Sequence, residues 1–306
     1  MVLLRAIVGW IEKHGESRSS EAGLQKKAGK YMSDRNAAGQ TLKLMAVLAH
    51  PDDESLGIGG TLAKYAAEGV ETYLLTATRG ERGWRGEAVA DPGLQAVGKV
   101  REAELLAAAK ILGVREVQFL NYIDGDLDQA DPAGAIGQIA AHLRRVRPQV
   151  VLTFGPEGAY GHPDHMAISQ FTLGALLAAA DPTWQPDGSH PPHRVAKLYF
   201  MADSHAGAAR YAALFGDLVM PVDGVDRRFP GWPEWMMSAE LDTDAHWRTT
   251  LRAIQCHTSQ IGDLANLVAA CESDHAALLG QKYFIRALSL VNAGRKVERD
   301  LFEGIK

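Results

Sequence analysis

The sequence predicts an α/β fold, a Rossmann-like, doubly wound and mostly parallel sheet with helices on both faces and an irregular C-terminal part. Three observations carry that expectation. Short apolar runs alternate with helix-length segments from residue 42 onward, the signature of strands joined by crossover helices. Gly69, Gly113 and Pro148 close successive helical segments, as residues that end or block a helix do. Two clusters rich in His and Asp follow the first and the fourth apolar runs, the first of them directly. In a sheet of order 3-2-1-4-5 those two strands are neighbours at the point where winding reverses, and ligands bind there.

Taken in order, residues 43–49 read as the first strand and 57–68 as a helix, with Ser55 as its N-cap and Gly69 beyond its end. Residues 71–78 form a second strand, followed by a polar loop containing Arg79-Gly80-Glu81-Arg82-Gly83-Trp84. A helix from about 95 to 112 leads to a short third strand at 116–120. Residues 132–147 are helical, 149–154 make the fourth strand, 163–180 a helix and 195–201 a fifth strand. After 201 the pattern loosens around Pro221, Pro230 and Pro233. A helix at 243–256, helical signal at 262–279 and an apolar run at 283–291 complete the chain.

Two domain-level segments follow from this pattern. Residues 1–40 read as an extension, a short amphipathic helix with Leu3, Leu4, Ile7, Val8 and Ile11 on one face and then a polar linker. Residues 41–306 read as the main domain, with 202–306 its less regular portion. Arg5 interrupts the first apolar stretch and Glu12 and Lys13 follow it, which disfavours a signal peptide. No run reaches the roughly 18–20 apolar residues of a membrane span. The net charge of −5 offers no basic footprint for nucleic acid. Cys256 and Cys271 lack metal or disulfide spacing, so a reducing, cytoplasmic setting is expected. The oligomeric state stays open, a homo-oligomer included.

The chemistry concentrates in His50-Pro51-Asp52-Asp53-Glu54 and in His162-Pro163-Asp164-His165. An imidazole and three carboxylates at one strand end are costly to desolvate unless a cation sits among them. His50 and Asp53 from one cluster and His165 from the other make a two-His, one-carboxylate set with an open position. That set suits catalytic Zn2+, with Fe2+ as the chemical alternative. Asp52 lies beside both ligands without having to bind the ion, and is the natural base for a water. His162 is placed to give a proton to a departing amine, and Tyr160 to stabilise an oxyanion. Asp164 either orients one of these rings or accepts from helix-terminal amides. Together the roles describe metal-assisted hydrolysis of an amide or ester.

These motifs resemble a known family. Ala49-His50-Pro51-Asp52-Asp53-Glu54 with Gly59-Gly60-Thr61-Leu62, and Gly158-Ala-Tyr-Gly-His-Pro-Asp-His165, are similar to the two signature motifs of the LmbE-like (PIG-L) zinc-dependent N-deacetylases. Thr78-Arg-Gly-Glu-Arg-Gly83, Arg101-Glu-Ala-Glu-Leu105 and His257-Thr-Ser-Gln260 also resemble the family. The resemblance implies a small N-acetylglucosamine-type conjugate as substrate, zinc on His50, Asp53 and His165, and Asp52 as base. It further implies His162 in an acid or electrostatic role, Tyr160 near the oxyanion, and Arg101 and Asp124 against sugar hydroxyls. An amidase for a larger acyl or thiol conjugate, or a non-catalytic sugar-binding module, are the alternatives.

Other signals carry less. Asp124-Gly-Asp126-Leu-Asp128 starts like a calcium loop, but Gln129 and Ala135 stand where it needs Gly and Glu. Gly57-Ile-Gly59-Gly60 lacks the dinucleotide fingerprint. Arg79, Arg82 and Arg85 either form a solvated face or meet an anionic group of the substrate, Arg79 being the substrate-binding candidate. Trp232 and Trp235 are expected to pack their loop onto the domain, with a sugar-stacking wall as the alternative.

Overall fold

In a computed structural model, the described residues are 41–84, 92–184, 190–216, 219–222, 224–229, 231–294 and 296–305, without the side chains of 215 and 261–264. The expected N-terminal helix and linker, and Arg85, lie outside them. One compact unit spans Thr41–Gly304.

Its strands are β1 (Lys43–Leu48), β2 (Glu71–Thr76), β3 (Glu116–Phe119), β4 (Val150–Thr153), β5 (Lys197–Ala202), β6 (Val219–Val222), β7 (Val225–Arg228), β8 (Ala239–Asp242) and β9 (Gln281–Ser289). The helices are α1 (Asp53–Ala67), α2 (Leu94–Leu112), α3 (Pro132–Val146), α4 (Pro163–Ala180), α5 (His205–Phe215), α6 (Trp247–Ile254), α7 (Ile261–Ala269) and α8 (Glu272–Leu279). The main sheet runs β3-β2-β1-β4-β5-β9-β8. β1 to β5 pair in parallel, and β9 and β8 join antiparallel. The order expected from sequence is therefore present, extended by two strands from the C-terminal portion. That portion holds more regular structure than its Pro-punctuated sequence suggests. The apolar run expected at 283–291 is β9, and α5 gave no sequence signal that set it apart from the surrounding loop.

β1 and β4 are central strands buried on both faces, which is why they read as unbroken apolar runs. Register places Leu44 beside both Thr72 and Val150, so the strand ends bearing His50 and Phe154 open into one crevice. α1 and α2 pack with α6, while α3 and α4 pack with each other, as the two directions of winding require. Gly59 and Gly60 serve that packing. A Cβ on either would lie 2.8 Å from Thr250 or Thr243 respectively, so α1 approaches α6 and its preceding turn closely. Arg144 closes the far end of α4. It is 2% exposed, and it donates to the carbonyls of Ala178 and Ala179 at 3.0 and 3.1 Å.

α1 departs from expectation at its start. It begins at Asp53 rather than 57, and Ser55 lies inside its first turn. Its N-cap is Asp52, held at φ 99°, ψ −27°. The helix then kinks at Ile58 (φ −135°, ψ 17°), where Lys282 Nζ donates to the Leu56 carbonyl at 3.1 Å.

The C-terminal segment is anchored through Glu298, which is 1% exposed. Its backbone bridges the outer edge of β8 at Ala239, covering strand groups that would otherwise stand open. Its carboxylate accepts from Lys197 Nζ at 2.6 Å, Arg286 at 3.1 Å and the Tyr199 hydroxyl. Replacing Glu298 by Ala leaves Lys197 charged and unpaired within the sheet. We expect the unfolding free energy in urea to fall by about 3–5 kcal/mol; a loss below about 1 kcal/mol would show that water reaches Lys197.

Candidate metal centre and active site

Four strand ends supply the crevice: residues 49–54 after β1, 78–83 after β2, 124–127 after β3 and 154–165 after β4. Asp53 turns back onto the strand end, where its Oδ2 accepts from the amides of Ala49 and His50 at 3.2 and 2.8 Å. The His50 ring is oriented by two further carboxylates. Its Nε2 lies 3.0 Å from Asp164 Oδ2 and 3.0 Å from Asp124 Oδ1, which commits that nitrogen as a donor. Nδ1 then faces His165 Nε2 at 3.2 Å and Asp53 Oδ2 at 3.9 Å. His165 Nε2 stands 3.5 Å from Asp53 Oδ1, and its ring stacks on Phe154 with centroids 3.9 Å apart.

His50, Asp53 and His165 thus direct three donor atoms at one point, all within 4.8 Å of one another. A second grouping, His50, His162 and Asp164, meets the same spacing. Its donors are already engaged, however. His162 Nδ1 accepts the Asp164 amide at 3.2 Å, and Asp164 accepts from the amides of Gly125 and Leu127 at 2.7 and 3.1 Å. The first set is the one that fits a cation. Its electrostatics agree. Burial opposes charge on His50, yet hydrogen bonds to Asp124 and Asp164 and the charge of Asp53 raise it to about 10. Burial raises Asp53 to about 7 against the pull of His50. Burial, with His50 and His162 alongside, keeps His165 well below the ordinary imidazole range. The site holds a positive charge readily, and the His165 ring is neutral, with its Nε2 lone pair available as a donor.

Asp52 does not face the donor set as a ligand. Its Oδ2 accepts from Arg101 Nη2 at 3.0 Å, and the same guanidinium donates to the carbonyls of Pro51 at 2.6 Å and Gly80 at 3.0 Å. Gly80 and Gly83 leave room for it: a Cβ on either would fall 2.2 Å from Arg101 Nη1. Burial raises the Asp52 carboxyl, partly offset by the charges of Arg101 and His257. A carboxylate so placed remains basic enough to take a proton. Its φ of 99° is a left-handed conformation rare outside glycine, and such strain persists only when neighbours hold it.

Tyr160 and His162 form the opposite wall. The turn that carries them has Gly158, Ala159 and Gly161 all at positive φ, which swings the Tyr160 ring to 5.4 Å from His165 and 6.1 Å from His162. Burial and the charges of Asp53 and Asp52 keep the Tyr160 phenol protonated. His162 caps α4, with Pro163 as the first helical residue. Burial and His50 lower it to about 4, so it is a neutral ring whose Nδ1 accepts and whose Nε2 carries the proton.

Several expectations change. Arg101 is 4% exposed and lies under Asp52 instead of on the open crevice. Asp124, expected against sugar hydroxyls, spends one oxygen on His50 and the other on the Arg82 amide at 3.2 Å. The Arg79 guanidinium is engaged by Glu102 and Asn121 and lies over the Phe119 ring. Arg82 binds Asp126 at 2.7 Å. Asp164 orients the His50 ring, and the amides it accepts belong to the 124–127 loop instead of its own helix. Trp235 is 82% exposed and packs nothing down, whereas Trp232 donates to Glu157 at 3.3 Å.

Sequence reasoning left Glu54 without a role and used His257 only as a motif letter. The structure joins them: His257 Nε2 lies 2.9 Å from Glu54 Oε1, and both side chains are fully buried. Burial opposes both charges, but each lowers the cost of the other, so Glu54 is held low and His257 high as an ion pair. The short motif His257-Thr-Ser-Gln260, with its His three residues before the Gln, was the available signal.

Donors for a cation with an arginine-held carboxylate beside them, at the switch point of a parallel α/β sheet, fit a class, the hydrolases that activate water at a bound metal. Comparison with known proteins narrows it. A family model described as PIG-L, GlcNAc-PI de-N-acetylase, matches residues 45–176. The 1D-myo-inositol 2-acetamido-2-deoxy-alpha-D-glucopyranoside deacetylase of Streptomyces griseus is 34% identical over 294 residues, covering 86% of this chain and 89% of that protein. In fold, the chain is similar to the 4-carboxy-2-hydroxymuconate hydratase GalB of Pseudomonas putida (TM-score 0.60, 21% identity, 83% of this chain and 99% of that one). It is equally similar to the N,N'-diacetylchitobiose deacetylase of Pyrococcus horikoshii (TM-score 0.59, 19% identity, 89% and 94%). The fold therefore hosts more than one chemistry, and the sequence relationship is what decides. This chain belongs to the PIG-L family of metal-dependent de-N-acetylases.

Ligation through His50 Nδ1 requires loss of its proton. Between about pH 7 and 10, the range between Asp53 and His50, uptake of a divalent cation is expected to strengthen roughly tenfold per pH unit. Calorimetry in two buffers of different ionisation enthalpy should show about one proton released per ion. Uptake independent of pH would place the ion elsewhere.

Proposed function

We propose that the chain hydrolyses the acetamide of a 2-acetamido-2-deoxyglucopyranoside conjugate, releasing acetate and the free amino sugar. The inositol glycoside named for its relatives is the first candidate substrate. The observation that carries this reading is Asp52, basic through burial and held by Arg101 beside the His50–Asp53–His165 donor set. We assign Zn2+ to that set, since two imidazoles and one carboxylate with an open position are zinc chemistry; Fe2+ shares the donors. When bound, the ion polarises the amide carbonyl and makes water acidic enough to lose a proton near neutrality.

The protein's own residues do the rest. Arg101 occupies Asp52 Oδ2, leaving Oδ1 to take the proton of the attacking water. As the new C–O bond forms, the carbonyl oxygen gains charge. The protonated phenol of Tyr160 and Nε2–H of His162 are the donors suited to that oxygen. A neutral His162 cannot readily give up its only ring proton, so it acts here as a hydrogen-bond donor and not as the acid. When the C–N bond breaks, Asp52 passes its proton to the departing nitrogen, and acetate and amine leave. The net consumption is one water.

Cys256 and Cys271 are free thiols, which fits a reducing compartment, and we place the protein in the cytoplasm. Among the described residues no helix is long and apolar enough to cross a membrane.

Acetate release from N-acetylglucosaminyl conjugates is expected to disappear on complete chelation and return with Zn2+. Activity that survives metal removal would overturn the mechanism. Replacing Asp52 by Asn should lower kcat by about 10²–10⁴-fold with bound zinc unchanged; loss of metal in that variant would make Asp52 a ligand. A panel with bulkier acyl groups should turn over more slowly than the acetyl substrate, and the reverse order would make this an amidase for larger amides.

A further inference from the structure

The turn His257–Gln260, which the mechanism leaves unused, reaches Asp52 by two routes. On the first, His257 Nε2 lies 2.9 Å from Glu54 Oε1, and Glu54 Oε2 accepts the Asp52 amide at 3.0 Å. That hydrogen bond grips the peptide of a residue whose φ is 99°. On the second, Gln260 Nε2 donates to the Gly83 carbonyl at 2.6 Å. Gly83 closes the loop whose Gly80 carbonyl accepts from Arg101, and Arg101 holds the Asp52 carboxylate. The turn itself is pinned to α2, where Glu104 accepts from the hydroxyls of Thr258 and Ser259 at 2.6 and 2.7 Å and from the Ser259 amide at 2.7 Å.

We propose that the 257–260 turn is the positioning element for the base, fixing the Asp52 backbone through Glu54 and its carboxylate through the arginine loop. His257 and Gln260 touch no reacting atom; they act through Asp52. The arrangement answers a specific difficulty. A left-handed, non-glycine residue relaxes unless its neighbours hold it, and an active-site carboxylate must be placed to within a fraction of an ångström. A buried Glu54 can hold the Asp52 amide only if its own charge is paired, and His257 supplies the pair from 203 residues further along the chain. A purely structural role for the turn would need only the Glu104 bonds. Those leave His257 and Gln260 unexplained.

This inference rests on Asp52 being the base, and a double-mutant cycle separates the two. His257→Leu and Gln260→Ala are each combined with native Asp52 and with Asp52→Asn, and acetate release is followed with bound zinc measured in every variant. With native Asp52, each should lower kcat by about 10–100-fold, as loss of an orienting partner does, while KM changes by less than about threefold and metal content holds. In the Asp52→Asn background the same substitutions should change the residual rate by less than about threefold, because the group they position is gone. Equal losses in both backgrounds would overturn the positioning role and leave the base intact. Native turnover in Asp52→Asn alone would instead remove the base assignment. If His257→Leu does not fold, Gln260→Ala decides by the same comparison through the Gly83 route.

Discussion

Three consecutive carboxylates at the buried end of β1 set the terms for the rest of this structure. Asp52, Asp53 and Glu54 cannot all be ionised in a crevice that excludes water unless each finds its own positive partner. The fold provides them from three directions. Arg101 reaches Asp52 from α2, His257 reaches Glu54 from the turn after α6, and Asp53 is left beside His50 and His165 in a set whose donor atoms could hold a cation. Division of labour among the three follows from which partner each meets, since their chemistry is otherwise nearly the same.

Much of the surrounding sequence exists to admit those partners. Gly80 and Gly83 are small because a guanidinium occupies the space beside them, and Gly59 and Gly60 are small because α6 must come close enough to deliver His257. Asp124 and Asp164 are spent on the far side of His50, where they leave Nδ1 to face Asp53 and His165. Strain collects where function needs it: Asp52 and Ala159, on opposite walls, both lie at positive φ, and each precedes or carries a residue that must point into the crevice.

The strand order was legible because it depends on local patterns, apolar runs and helix stops, together with handedness rules that leave few topologies. The convergence of His50, Asp53 and His165 was legible because they flank prolines at strand ends that the topology brings together. Arg101 and Arg79 were not. An arginine on an amphipathic helix or polar loop has the same local appearance whether it faces substrate, solvent or a buried carboxylate, and only the packed loop at Gly80 to Gly83 distinguishes them. Ser55 misled for a related reason. It looks like an N-cap, but Asp52 takes that position once its backbone is held left-handed, and Ser55 turns inward to the Glu54–His257 pair.

By itself the sequence determined the α/β class and the parallel core of the sheet, and it singled out the candidate cation donors and a candidate base beside them, since each is carried by residues close together or by patterns with a fixed period. Tertiary structure alone decided which carboxylate meets which cation, which His162 nitrogen carries the proton, and what Glu54 and His257 do. Those outcomes depend on contacts between residues up to 203 positions apart, and a long-range pair leaves no local trace.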